Sequence, residues 1–183
     1  MKSICLCLLM IMPASMLLAQ KNEPDFSQRF VILTHKKISM MEKQLAQAQA
    51  AGYKVLCASH TGTAEMSLIL EKSQDGTSAE YRLLVDSDMS TVKSRINEAA
   101  KEGFRLMPSS LLKRGNVLKN KEFMVVMEKE AGAPKFEYLV LISELNQGMQ
   151  NVLAKAAGKG FEVLAMMAGN NDDHVVFMQK TAE

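Results

Sequence analysis

Tryptophan is absent from the 183 residues, and ten glycines with four prolines are too few for a long flexible linker, a collagen-like repeat or a Trp-anchored binding site. An excess of one charge is missing too. Lys and Arg number 22 against 20 Asp and Glu, a net of +2, so no strong field draws the chain to nucleic acid or to an anionic membrane. Cysteine is scarce: Cys5 and Cys7 fall in the first apolar stretch, which leaves Cys57 without a partner for an intramolecular disulfide. The fold must therefore rest on its core. A 48% hydrophobic and 23% charged composition suits one ordinary soluble domain and excludes a disordered chain of low hydrophobicity.

Lys2, the uncharged run from Ile4 to Met12, and a small-residue site ending at Ala19 have the order of an export signal. Cleavage after Ala19 would make Gln20 the first mature residue and place the protein in the periplasm or outside the cell. Pro13 interrupts an apolar run already shorter than the roughly 20 residues a spanning helix needs, so no stable membrane anchor is expected after cleavage. A lipoprotein would require a cysteine directly after the cut, and Gln20 stands there.

Internal register dominates the rest of the chain. The stretches 50–56 (AAGYKVL), 101–107 (KEGFRLM) and 158–164 (GKGFEVL) share Gly, an aromatic, a charged residue and an aliphatic pair. Counted from Gly52, Gly103 and Gly160, an aromatic stands 22 positions earlier each time, at Phe30, Tyr81 and Tyr138. Met41, Val92 and Met149 also fall in register, as do Leu45, Ile96 and Leu153, and Ala48, Ala99 and Ala156. Each copy closes alike, in Glu71-Lys72, Glu128-Lys129 and Gln179-Lys180, and the middle copy carries six extra residues before its close. The expectation is a signal over 1–19 and three tandem repeats over 26–72, 79–129 and 134–180.

Within a copy, β-branched and aromatic runs at 30–33, 81–85 and 136–142 predict a first strand. Apolar residues at helical spacing follow, with Ser39 and Glu42 predicted to form a capping box and Ser90 in the same register of the second copy. The register glycine then ends the helix in a left-handed residue. Second strands are predicted at 55–58, 106–107 and 163–167, and third strands at 66–70, 123–127 and 175–178. The third runs are apolar on consecutive positions, which predicts burial on both faces and a central place, giving sheet order 2-3-1.

The fold class expected is α+β: three βαββ repeats packed as one compact pseudo-threefold domain, sheets inward and helices outside. A side-by-side extended sheet is the alternative. The turns Gly52-Tyr53-Lys54-Val55, Gly103-Phe104-Arg105-Leu106 and Gly160-Phe161-Glu162-Val163 resemble those of a bacterial family of short βαββ domains of unknown function, whose turn after the helix reads Gly-Trp-Glu-Leu-Val. That resemblance implies a fold and carries over no catalytic residue.

The loop after the first strand and the hairpin between second and third strands should share one rim. His35, His60, Asp172, Asp173 and His174 map there, and the enlarged middle hairpin adds Lys113 and Arg114. This rim is the expected contact surface of a noncatalytic module whose partner is a protein or small ligand. A metal-handling protein using the rim histidines is the alternative, although no HxxxH or CxxC spacing supports it and no cofactor is expected. There is no P-loop, G-x-G-x-x-G or G-x-S-x-G, so enzyme activity is not expected. Cys57 is read as a buried structural thiol, and the methionines, Met40, Met41 and Met166 among them, as packing.

Overall fold

The computed structural model of the chain describes residues 24–182 except 61–64, 75, 78, 116–120, 144–146 and 170–172. The export signal expected over 1–19 lies outside the described residues. In chain order the elements are β1 (Phe30–His35), α1 (Ile38–Ala50), β2 (Tyr53–His60), β3 (Met66–Lys72), β4 (Glu80–Asp86), α2 (Met89–Lys101), β5 (Arg105–Leu106), β6 (Leu112–Arg114), β7 (Glu122–Lys129), β8 (Phe136–Ser143), α3 (Gln147–Ala157), β9 (Glu162–Ala168) and β10 (His174–Thr181). Among the described residues they make an α+β fold of three helices and three small antiparallel sheets, ordered β1-β3-β2, β4-β7-β5 with β6 also on β7, and β8-β10-β9.

The last strand of each sheet is central, where the consecutive apolar runs placed it. Phe123 to Glu128 and Val175 to Met178 are buried at every position. β3 instead alternates between buried and exposed residues, because only one face of the first sheet is covered. A single 3-10 turn over Pro108–Ser110 leads into β6, and the buried Ser110 hydroxyl accepts the Val126 N–H at 2.8 Å and donates to the Met107 carbonyl at 2.7 Å.

Helix ends follow the register glycines. Gly103 (φ 92°) donates to Ala100 O at 2.9 Å and Phe104 to Ala99 O at 3.0 Å, the paired bonds of a Schellman end. Gly160 and Phe161 repeat the pattern on Ala157 and Ala156. Helix starts differ from expectation. α1 begins at Ile38 behind Lys37, whose side chain makes no capping bond, so Ser39 already lies inside the helix and no Ser39–Glu42 box forms. Ser90 is likewise inside α2, and its cap is Asp88, which accepts the Ser90 and Thr91 N–H groups at 3.1 Å each. The periodic pattern marks the buried face, and the helix runs one turn's fraction beyond it to the first residue that leaves β geometry.

Hydrogen bonds from the Ser90 hydroxyl, the Ser90 N–H and the Thr91 hydroxyl hold the Asp88 carboxyl at about 2, below its ordinary 3.8. A depressed carboxyl favours the folded state above its unfolded value, and that contribution fades as pH falls through the folded one. Asp88→Asn should therefore flatten the acid limb of the melting temperature between pH 3.8 and about 2, while Asp88→Ala should also lower it at neutral pH. Thermal unfolding followed by circular dichroism checks both.

Three apolar clusters show how the sheets join. In one, α1 (Met41, Leu45) and the inner face of the first sheet (Leu33, Leu68, Leu70) pack with Leu83, Met124 and Val126 of the second sheet. In another, α2 (Val92, Ile96) and the opposite face of the second sheet (Phe123, Val125, Met127) pack with Tyr138, Val140, Val175 and Phe177 of the third. The third cluster is α3 with the remaining face of the third sheet, Met149 and Ala156 with Val176 and Met178.

This is a serial arrangement, and it corrects the expected pseudo-threefold packing. Among the described residues no core cluster joins the first sheet to the third. Closure would require the third sheet to offer a face to the first, yet its two faces lie against α2 and α3. α1 and α2 are also not simply outside, since each is lodged between its own sheet and the next while keeping one exposed side. The extended-sheet alternative fails as well, because the sheets meet through faces and helices. Two smaller expectations change for the same reason. Cys57 is only half-buried because it pairs with Ile69 in the row of the uncovered face, and Met40 and Met166 are exposed.

Candidate functional site

At one end of the first sheet His35 and His60 pair in register with Met66 from either side. His60 is exposed and His35 half-buried. His174 opens β10, paired with Ser143 and Ala168. Arg114 ends β6, and its guanidinium donates to Glu122 Oε2 (Nε, 2.8 Å) and to the Lys36 carbonyl (Nη1, 3.1 Å). Lys113 donates through Nζ to the Gly169 carbonyl, and the Gly169 N–H donates to the Asp173 carbonyl at 2.7 Å. Lys36, Arg114, Lys113, Gly169 and Asp173 thus form a line across all three sheets at one end of the molecule.

The line works as a tie between sheets. Arg114 is buried, and Lys113, its ammonium held below its ordinary value by burial and by Lys121, points into the third sheet's hairpin. Neither is the free contact group expected of it. His35 and His60 stand on the first sheet and His174 on the third, and among the described residues no three His, Cys, Asp or Glu side chains converge on a metal-sized point. Asp172 lies outside the described residues. The metal-handling alternative therefore has no ligand set to rest on among them.

Two features that sequence reasoning missed carry more weight. The first is a repeated junction. Tyr81 on β4 accepts the Val55 N–H of the first sheet's β2 at 3.0 Å and donates to Glu128 Oε1 at 3.0 Å. Glu128 is buried and takes Arg105 at 2.6 and 3.0 Å, Arg105 reaches Glu130 at 3.1 Å, and Glu130 takes Lys54 at 3.0 Å. At the next junction Tyr138 on β8 accepts the Leu106 N–H of β5 at 2.8 Å. Val55 and Leu106 each lie three residues after their register glycine.

Burial raises both phenols above the ordinary 10, at Tyr81 with further help from the Glu128 charge and against the Val55 N–H. The fold thus favours the neutral phenols, and their contribution, intact below pH 10, declines as pH rises beyond it. Tyr138→Phe would leave the buried Leu106 N–H without its acceptor. A loss of about 1–3 kcal/mol is expected, read from the urea midpoint.

The second feature is the outer face of the first sheet. Strand pairing sets three rows on it: Phe30, Glu71 and Lys54; Ile32, Ile69 and Cys57; Thr34, Ser67 and Ser59. Phe30 is 49% exposed, Ile32 64% and Ile69 38%. The matching rows of the second sheet hold Tyr81 and Leu83, those of the third Tyr138 and Val140, and there Leu83, Tyr138 and Val140 are at most 5% exposed. An Arg29–Glu71 ion pair at 2.6 Å borders the face. Clefts also lie at the junctions. That between the second and third sheets, about 300 Å³, is lined by Arg105 and Glu128, which already pair with each other.

Comparison with protein-family models, curated proteins and solved structures finds no match to this chain.

Proposed function

We propose that this chain is an exported, noncatalytic interaction module of three tandem βαββ copies, and that it engages a protein partner through the outer face of its first sheet rather than through the histidine rim. The observation that carries the reading is the exposed apolar group Phe30, Ile32 and Ile69; the counterparts of Ile32, Leu83 and Val140, are core, and those of Phe30 are the half-buried Tyr81 and the buried Tyr138. A contiguous apolar surface of this kind on a soluble chain marks a contact site. Support for tandem copies comes from the shared register of glycines, aromatics and helix positions and from one strand order in all three sheets. Support for export comes from the charged start and apolar run before Ala19.

A photo-crosslinking residue at Ile32, in the organism that produces the protein, should give a discrete protein adduct, and one at the exposed helix residue Lys93 should not. Absence of any adduct at Ile32 overturns the contact-face reading. The intact mass of the exported protein should correspond to a chain beginning at Gln20.

A further inference from the structure

We infer that the partner is a second copy of this chain, bound head to tail, the outer face of the first sheet of one copy seating on α3 and β9 of the other. The inference rests on the reading of that face as a contact surface and supplies its occupant.

The argument is that the chain already contains this interface twice. At each internal junction the outer face of one sheet covers the helix and second strand of the preceding segment, and a tyrosine in the first row takes the N–H three residues after the glycine. Val55 and Leu106, which carry those N–H groups, are each 4% exposed. The corresponding residue of the last segment, Val163, is 59% exposed, as an uncovered junction half would be. One end of the array thus offers the covering face, and the other offers the surface it covers.

The terminal surface is not built as a solvated cap, which serial repeats need at their ends. Where the first two segments have Gln44 and Arg95, eight before the glycine, the last has Val152, 45% exposed. Six residues after the glycine, Ala58 and Ser109 give way to Met166. Apolar residues therefore appear at the free end, where the covered junctions use polar or small ones. At the other end the described chain before β1 leaves the outer face open. Phe26 packs on Tyr53, a residue of the inner core, with ring centres 5.6 Å apart, and Tyr53 donates to the Phe26 carbonyl at 2.9 Å.

Such an interface is heterologous, since two different surfaces meet, so association continues past the dimer unless a ring closes. On the covering face it departs from the internal junctions at Phe30, which has no hydroxyl for the incoming N–H, and at Thr34 and Ser67, which stand where the other sheets pair Val85 with Met124 and Ile142 with Val175. The intermolecular contact is accordingly weaker than the internal ones, as a reversible assembly requires.

The test uses the purified mature protein in sedimentation velocity over a concentration series. Wild type should form species larger than a dimer, or a closed ring, as concentration rises. Ile32→Asp and Val163→Asp, both at exposed positions and checked for folding by circular dichroism, should each weaken association about thirtyfold or more. Their mixture should recover dimers and nothing larger, because one intact face and one intact end remain. Phe30→Tyr should tighten association about fivefold. A wild type that stays monomeric at every concentration overturns the inference, whatever else then covers the face. So does a mixture of folded variants that fails to pair. If the wild type is monomeric while Ile32 crosslinks to a different protein, self-association alone falls, whereas loss of every Ile32 adduct removes the contact-face reading itself.

Discussion

Leu83→Asp is expected to unfold the protein, and Ile32→Asp, at the same register position one segment earlier, to leave it folded. Leu83 is 5% exposed and packs with Leu45, Val126 and Leu112 at the first junction. Removing a buried leucine side chain costs about 2–5 kcal/mol before any polar group replaces it. The new carboxylate would sit among aliphatic side chains, adding several kcal/mol or forcing its own protonation. The sum reaches the whole stability of a typical domain, about 5–15 kcal/mol. Ile32 is 64% exposed, and an exposed substitution of this kind changes stability by about 0.5 kcal/mol. Far-UV circular dichroism and urea midpoints separate the two. If Ile32→Asp also unfolds the chain, the first sheet's outer face is covered within one molecule, and the serial arrangement with a free end is wrong.

That contrast also marks how far the sequence could be read. The runs FVIL at 30–33, YRLLV at 81–85 and EYLVLI at 137–142 are each mostly apolar on consecutive positions, so each promises two buried faces. Periodicity registers what a residue could bury, and whether a neighbour arrives to cover it depends on packing between segments. Strand order was legible because consecutive apolar residues in the third strands need cover on both sides, and the register glycines were legible because a left-handed helix end has few alternatives. The way the copies meet was not. Tyr81 and Tyr138 look like ordinary strand aromatics until their hydroxyls are seen taking the Val55 and Leu106 N–H groups. Only the change to Phe30 at the first copy, visible in the sequence, hints that no junction there needs a hydroxyl. Lys113 and Arg114 are expected as free contact groups of the rim, but no sequence rule shows the Gly169 and Lys36 carbonyls of the neighbouring segments arriving beside them.

Phe177→Ala is expected to cost about 3–5 kcal/mol, and its spatial pattern tests the serial arrangement directly. The ring is fully buried in the cluster that α2 and the second sheet share with the third, beside Tyr138, Val140 and Val175. In a closed threefold domain that loss would loosen all three junctions alike, since each sheet would bear on both others. In a serial one the third sheet is held to the rest through its contacts with α2 and the second sheet, and the first sheet is held by a separate cluster containing Leu33, Met124 and Val126. Neighbour-limited coupling of this kind lets an end segment open while the rest stays closed. Hydrogen exchange should therefore rise most at Val140, Val175 and Met178, less along β7, and least at Leu68 and Leu70 of β3. Equal acceleration at β3 and β10 would mean that the first and third segments share a cooperative contact, and an interaction surface built on a free first-sheet face would lose its physical basis.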